Sequence, residues 1–457
     1  MKVCKFGGTS LASAEQMQKV ASIVMADPER KIVVVSAPGK RFKEDTKVTD
    51  LLISLADAAL SNGDVKEALR LVVSRYEQIA LELKLSSSIV SIIEDDLLSR
   101  LGTKDEGERE FIDLMKASGE DNNAKLFSFY MQSLGVNAHF VDPKDVGLVL
   151  SKEYGNAQVL PEAYENLYKE LRNKDGVLIF PGFFGYTQEG TLVTFPRGGS
   201  DITGSIVAAA VQADLYENFT DVDSVFAANP NVVQNPMEIE ELTYREMREL
   251  SYAGFSVFHD EALIPAFKKG VPVCIKNTNN PSARGTMVVN ERNYLINPVI
   301  GIASDSGFST IYVRKYLMNR EIGFGRRLLE IIEDEGLSYE HMPSGIDDTS
   351  VILKGAQLTL EIEARIVDRI EKELDADDVH VEHDFAMVMV VGEGMKKMVG
   401  ITAKATTGLA RAGVNLHMIN QGSSEVSMVF GVKATDADKA VRELYNDFFV
   451  ATKTPVL

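Results

Sequence analysis

The chain has no tryptophan, only two cysteines and six histidines, and far fewer basic than acidic residues. Cys4 and Cys274 both lie inside apolar runs, VCKF and VPVCIK. They read as small buried hydrophobes in a reducing compartment rather than as a disulfide or catalytic pair. The histidines show no HExxH or other ligand spacing, which leaves no metal centre built from protein groups, and no Ser-His-Asp pattern is present. No apolar run reaches the ~18 residues of a membrane span. With 48 Lys and Arg against 67 Asp and Glu, the formal charge of −19 argues against nucleic acid or an anionic membrane surface as a partner. The first residues already read as a strand and a glycine turn rather than a secretory leader, so the cytoplasm is the expected compartment.

An acidic chain that handles anions must gather its cations locally, so single Lys and Arg residues become informative. The opening MKVCKFGGTS places Lys5 between a buried-strand pattern and Gly7-Gly8, with Thr9 and Ser10 expected to cap a helix from Leu11. Strand, glycine turn and helix start beside a lysine is an arrangement that holds phosphate. The alternative is a plain strand-to-helix turn. A second turn, TFPRGGSDITG, sets Arg197, Gly198-Gly199, Ser200 and Asp201 before a helix of small residues. Arg197 is a planar fork suited to carboxylate or phosphate, and Asp201 is either a cap or a functional carboxylate. Neither turn matches a P-loop, and no GxGxxG opens a helix in the right setting. Two such turns on one sheet predict two anionic ligands. Glu120, in SGEDN, lies in a helix-rich segment where a carboxylate is usually a surface group.

The length of 457 residues predicts two to four domains. KIVVVSA, GVLIFPGFFG, ADLYENFTDV and GVPVCIKN read as strands buried on both faces of a largely parallel sheet. Residues 50–134 are helical in period and highly charged, as in a lid or helical subdomain on the sheet, or a set of solvated helices. From about Pro298 the chain repeats itself. Met318, Gly323, Gly336, Gly345 and Ser350 recur as Met395, Gly400, Gly413, Gly422 and Ser427, always 77 residues apart. Each copy reads strand-helix-strand-strand-helix-strand, the ferredoxin-like pattern.

KFGGTS at 5–10, FPRGGSDITG at 195–204, FTDVDSVFAANP at 219–230 and the tandem C-terminal pair together resemble the aspartokinase family, the monofunctional kind with two ACT regulatory domains. The resemblance covers nearly the whole chain. It implies an α/β amino-acid kinase fold, an open αβα sandwich, over residues 1–297, followed by ferredoxin-like ACT domains at 298–380 and 381–457. The implied activity is phosphorylation of the β-carboxylate of L-aspartate by ATP with Mg²⁺, the first step toward lysine, threonine, methionine and diaminopimelate. By the same resemblance, Lys5, Arg197 and Asp201 are catalytic. Ser36, Ala37, Thr49, Glu120, Phe183 and Ser200 join the last two in the substrate pocket. Lys5, Gly7, Gly8, Thr9, Ser10, Thr220, Asp221, Phe226, Asn231 and Ser256 face the nucleotide. Met318, Gly323, Phe324, Ser338, Glu340 and Ser344 line an effector site, with lysine favoured over threonine. ACT units of this family pair across chains, so a homodimer or homotetramer is expected.

The chain departs from the family on the nucleotide side. The usual TDVDGVYTADPR is here TDVDSVFAANPN, which puts Phe226, Asn229 and Asn231 at positions of a tyrosine, an acid and an arginine. Ser256 stands where a lysine is usual, and Pro196 where a glycine is. Two lost positive charges imply altered nucleotide affinity or specificity, and Lys268, Lys269 or Lys276 are candidate replacements. Two other readings stay open: a kinase for another carboxylate such as glutamate or N-acetylglutamate, and an amino-acid sensor with an inactive kinase domain.

Overall fold

The computed structural model describes residues 1–450 apart from Asn62, Glu106, 256–261 and Ile296. The described chain forms two compact units. The first comprises Met1–Val225, Glu238–Tyr244 and Val257–Arg292, and the second Phe226–Met237, Arg245–Ser256 and Asn293–Leu457.

The first unit is built on eight strands: β1 (Lys2–Phe6), β2 (Arg30–Val35), β3 (Ala138–Phe140), β4 (Val177–Pro181), β5 (Leu215–Thr220), β6 (Glu241–Thr243), β7 (Val273–Asn277) and β8 (Thr286–Val289). Their order is β6-β8-β7-β5-β1-β2-β4-β3, and every pairing is parallel except β7 with β8. Val3, Cys4, Phe6 and Ile32 to Val35 are fully buried, as continuous apolar runs in a parallel sheet require. The strand order reverses about β1, and ligands of such sheets bind beyond the carboxyl ends of the strands at that reversal.

Helix α1 is Ala14–Met25, and four helices fill residues 48–133: α2 (Val48–Leu60), α3 (Val65–Glu82), α4 (Ser88–Leu101) and α5 (Glu108–Ser133). The solvated reading of this region is corrected here, because the helices pack on the sheet. Leu52, Tyr76, Ile89 and Phe127 belong to the same core as Cys4 and Phe6. The charge pattern misled because α5 buries polar residues as well, among them Asp113, Glu120 and Asp121. Asp121 is matched by Arg100 at 2.5 Å and Lys125 at 2.9 Å. Burying such charges is tolerable only with partners of this kind. Helix α6 (Pro161–Leu171) follows, and α7 (Gly199–Ala210) starts at the second glycine turn.

The second unit holds one five-stranded sheet of β9 (Gly301–Arg314), β10 (Asp348–Lys354), β11 (Asp378–Val391), β12 (Met418–Asn420) and β13 (Ser427–Lys433), in the order β10-β9-β11-β13-β12. The two repeats are nested rather than consecutive. The expected break at 380/381 falls inside β11, whose first half pairs with 310–314 and whose second half pairs with 301–306 and 427–433. After β13 the second copy is helical to Val450. Its sixth strand position is therefore taken by 301–306, ahead of the first copy in sequence. Both long strands change course where they pass between copies, with Gly307 at φ 84° and Asp384 at φ 60°. Helix α8 is Tyr244–Tyr252. Within this unit, Ile302 N–H donates to the Ala227 carbonyl, Met237 N–H to the Tyr445 hydroxyl, and Ser427 Oγ to Glu249. Among the described residues no helix is long and apolar enough to cross a membrane.

Candidate active site

The two glycine turns meet at the carboxyl ends of β1 and β2. Between them lies a cavity of about 360 Å³, lined by Lys5, Gly8, Glu120, Arg197, Ser200 and Asp201 among others. Lys5 leaves the end of β1 and is 93% buried, since 7% of its surface is exposed. Its ammonium lies 2.5 Å from Asp201 Oδ1. Asp201 does not cap its helix: the cap is Gly198 at φ 83°, which places Asp201 in the first turn of α7. Asn218, from β5, donates to Asp201 at 2.7 Å. So a lysine, a carboxylate and an amide from three elements fix one another, and the charge of Lys5 is aimed rather than free.

Glu120 enters from α5. Its carboxylate accepts from the Ala37 backbone N–H and the Ser200 hydroxyl, yet Oε2 is buried without a partner. Burial pushes its pKa up to about 7 against these hydrogen bonds and the nearby charge of Lys47. A buried, unsatisfied carboxylate oxygen facing a cavity invites a cationic group. Helix α5 comes this close because residue 119 is glycine: a Cβ there would lie 2.9 Å from that of Ala37. Arg197 is exposed, lines the same cavity and has no hydrogen-bond or ion-pair partner among the described residues. Phe183 stands at φ 77°, a strained conformation for a bulky side chain, and its N–H is held by Thr203 Oγ1 at 3.0 Å. Ser36 and Thr49 line the same cavity.

Other expectations are redirected. Thr9 and Ser10 cap no α-helix. Gly8–Leu11 is a 3₁₀ turn, and Ser13 caps α1 by accepting from Gln16 N–H. Ser10 is buried against Thr278, at 2.7 Å between hydroxyls, while Thr9 is exposed. The Gly7 N–H is spent on the Phe219 carbonyl. Thr220 ends β5 and Asp221 follows it, whereas Phe226 and Asn231 fall in the second unit, and Ser256 lies outside the described residues. Of the candidate replacement cations, Lys276 stands at the end of β7 in register with Phe219, and Lys268 and Lys269 are exposed on the helix Ile264–Lys269.

The effector residues are dispersed in their surroundings. Met318 and Phe324 point into the hydrophobic core of the first repeat, and Gly323 caps Phe324–Asp334 at φ 80°. Ser338 is exposed, and Glu340 accepts a hydrogen bond from Tyr252. Of the six, Ser344 alone lines the cavity of about 390 Å³ in this unit.

Sequence reasoning missed Asn218 and Asp113. Asn218 was detectable as a polar residue between Tyr216 and Phe219 in a buried strand. Asp113 lies two helical turns before Glu120 and so shares its face. No three His, Cys, Asp or Glu side chains converge as a metal cage among the described residues.

A model of the amino acid kinase family matches residues 1–277, and an ACT domain model matches residues 388–448. The chain is 60% identical over 449 residues to aspartokinase 3 of Bacillus subtilis (strain 168), covering 98% of this chain and 99% of that one. The crystal structure of Clostridium acetobutylicum aspartate kinase matches with a TM-score of 0.86 at 36% identity, over 98% of this chain and 99% of the other. Two structures of E. coli aspartokinase III also match over 98% of this chain. The complex with aspartate and ADP (R-state) gives 0.78 at 25% identity over 100% of that chain. The complex with lysine and aspartate (T-state) gives 0.81 at 26% over 99%.

Proposed function

The chain belongs to the aspartokinase family, and we infer that the cavity between its two glycine turns is where phosphoryl transfer takes place. The enzyme transfers the γ-phosphoryl group of ATP to the β-carboxylate of L-aspartate, giving 4-phospho-L-aspartate. The observation that carries the assignment of the site is the meeting of Lys5, Glu120, Arg197 and Asp201 in one cavity at the carboxyl ends of the strands.

The acceptor carboxylate is ionised at neutral pH, so the reaction needs no general base. It needs two anions brought together, with positive charge where negative charge builds up. Lys5, steadied by Asp201, supplies that charge to the transferring group. Arg197 clamps the α-carboxylate, and the free oxygen of Glu120 receives the ammonium, which returns that carboxylate to its ionised form. Phe183 and Thr49 close the pocket around the substrate carbon chain. ATP is taken as its Mg²⁺ complex, the ion being held largely by the phosphates as is usual for Mg²⁺ at such sites. The nucleotide lies toward Gly8, Thr220 and Asp221.

The domain limits 1–297, 298–380 and 381–457 are kept here as a functional division, with the strand exchange of 301–306 added. The C-terminal unit imposes feedback inhibition by an end-product amino acid. Lysine is the effector we propose, supported by the lysine complex of E. coli aspartokinase III. The active form is a cytoplasmic homodimer or homotetramer.

The test is ATP-dependent hydroxamate formation by the purified chain. L-aspartate gives product, L-glutamate and N-acetyl-L-glutamate do not, and millimolar L-lysine suppresses it. No product from any acid, in folded protein that still binds lysine, would favour the sensor reading instead.

A further inference from the structure

One wall of the cavity is unexplained by the reaction as described. Lys116 lies one helical turn before Glu120 on α5 and lines the same cavity. Its ammonium is 3.6 Å from Asp113 Oδ1, too far for a hydrogen bond. The other oxygen of Asp113 is occupied, accepting from Gly155 N–H at 2.8 Å and Thr194 N–H at 2.9 Å. Asp113 is almost fully buried, with 2% of its surface exposed, so it fixes this wall and keeps Lys116 beside it. Thr194 supplies an independent sign. It is wholly buried, it lines the cavity, and its hydroxyl has no partner. A buried hydroxyl without a partner is uncommon and asks for a ligand atom.

We propose that Lys116 and Thr194 form a second carboxylate-binding subsite of the amino-acid pocket, making Lys116 a specificity-determining residue for the α-carboxylate alongside Arg197. This rests on the reading of the cavity as the aspartate site. The chemistry is that of an amino acid bound at three points: ammonium at Glu120, α-carboxylate between Arg197 and the Lys116–Thr194 wall, and reacting carboxylate toward Lys5. A planar carboxylate has four lone-pair positions, and one guanidinium fork fills two of them. Lys116 and Thr194 donate to the others. An acid lacking the α-carboxylate gains nothing from this wall.

The test is steady-state kinetics on the full chain, with aspartate and ATP varied separately. Lys116→Met raises the KM for aspartate by about 10- to 100-fold, the loss expected for one charge-assisted hydrogen bond. The kcat and the KM for ATP stay within about twofold, and Lys116→Arg restores most of the affinity. Thr194→Val, which keeps the shape, raises the same KM severalfold without lowering the melting temperature. A rise in the KM for ATP, or no change in either constant, would overturn the subsite. If the wild-type chain makes no hydroxamate from aspartate, the reading of the reaction fails and the subsite falls with it. That outcome is visible before any variant is compared.

Discussion

At the scale of single residues, the site is governed by what is left unpaired. Glu120 is the clearest case. In the unfolded chain its pKa is near 4.5, and in the folded, empty cavity it is raised to about 7 by burial. Between those values the folded chain holds a proton that the unfolded chain has lost, so this residue's contribution to stability is full below about pH 4.5 and declines as pH rises through 7. Glu120→Gln therefore stabilises the empty chain at pH 8, by up to about 3 kcal/mol, and the gain vanishes below pH 5, which thermal denaturation across pH will show. The same variant loses aspartate affinity. In the wild type, the KM for aspartate rises as pH falls from 8 to 6, because the protonated carboxyl no longer attracts the ammonium. The glycine-rich strings made Lys5, Arg197 and Asp201 legible in the sequence. Glu120 carried little signal of its own, and Lys116 and Thr194 carried none, because what singles them out exists only in the fold: buried oxygens without a partner at Glu120 and Thr194, and a place in the same cavity for Lys116.

At the scale of elements, close approach decides the geometry. Gly119 lets α5 lie against the end of β2, so that the Ala37 N–H reaches Glu120. Gly119→Ala favours the helix intrinsically by up to ~1 kcal/mol, but the clash with Ala37 and Leu52 costs about 1–3 kcal/mol and pushes Glu120 outward. The expected result is a lower melting temperature together with a raised KM for aspartate. The C-terminal repeat shows the other use of glycine. Gly323 and Gly400 cap equivalent helices at φ 80° and 91°, and Gly336 and Gly413 end them at 71° and 65°. These left-handed positions favour glycine strongly, so the duplication stayed readable through them. The nesting of the copies did not, because a β-strand pattern says nothing about which partner it finds. The solvated reading of 50–134 failed for a related reason: charge predicts a solvated face only when the charges are not paired inside.

At the scale of the whole molecule, the chain is not divided where its sequence repeats begin. Segments 226–237 and 245–256, which precede the C-terminal region in sequence, are bonded within the second unit through Ala227, Met237 and Glu249. A chain truncated after Arg292 should therefore lose ATP-dependent activity rather than become a kinase merely freed from lysine. Hydroxamate assays of the truncated chain, with circular dichroism to confirm folding, check this. The central claim is that catalysis here is positioned positive charge, concentrated on Lys5, acting on an already ionised acceptor. Its most direct test is hydroxamate formation by Lys5→Ala against wild type at saturating aspartate and MgATP. The account predicts a fall in kcat on the order of 10²–10³, with the folded structure retained. A variant within a few-fold of the wild-type rate would contradict it and move the catalytic charge elsewhere in the cavity.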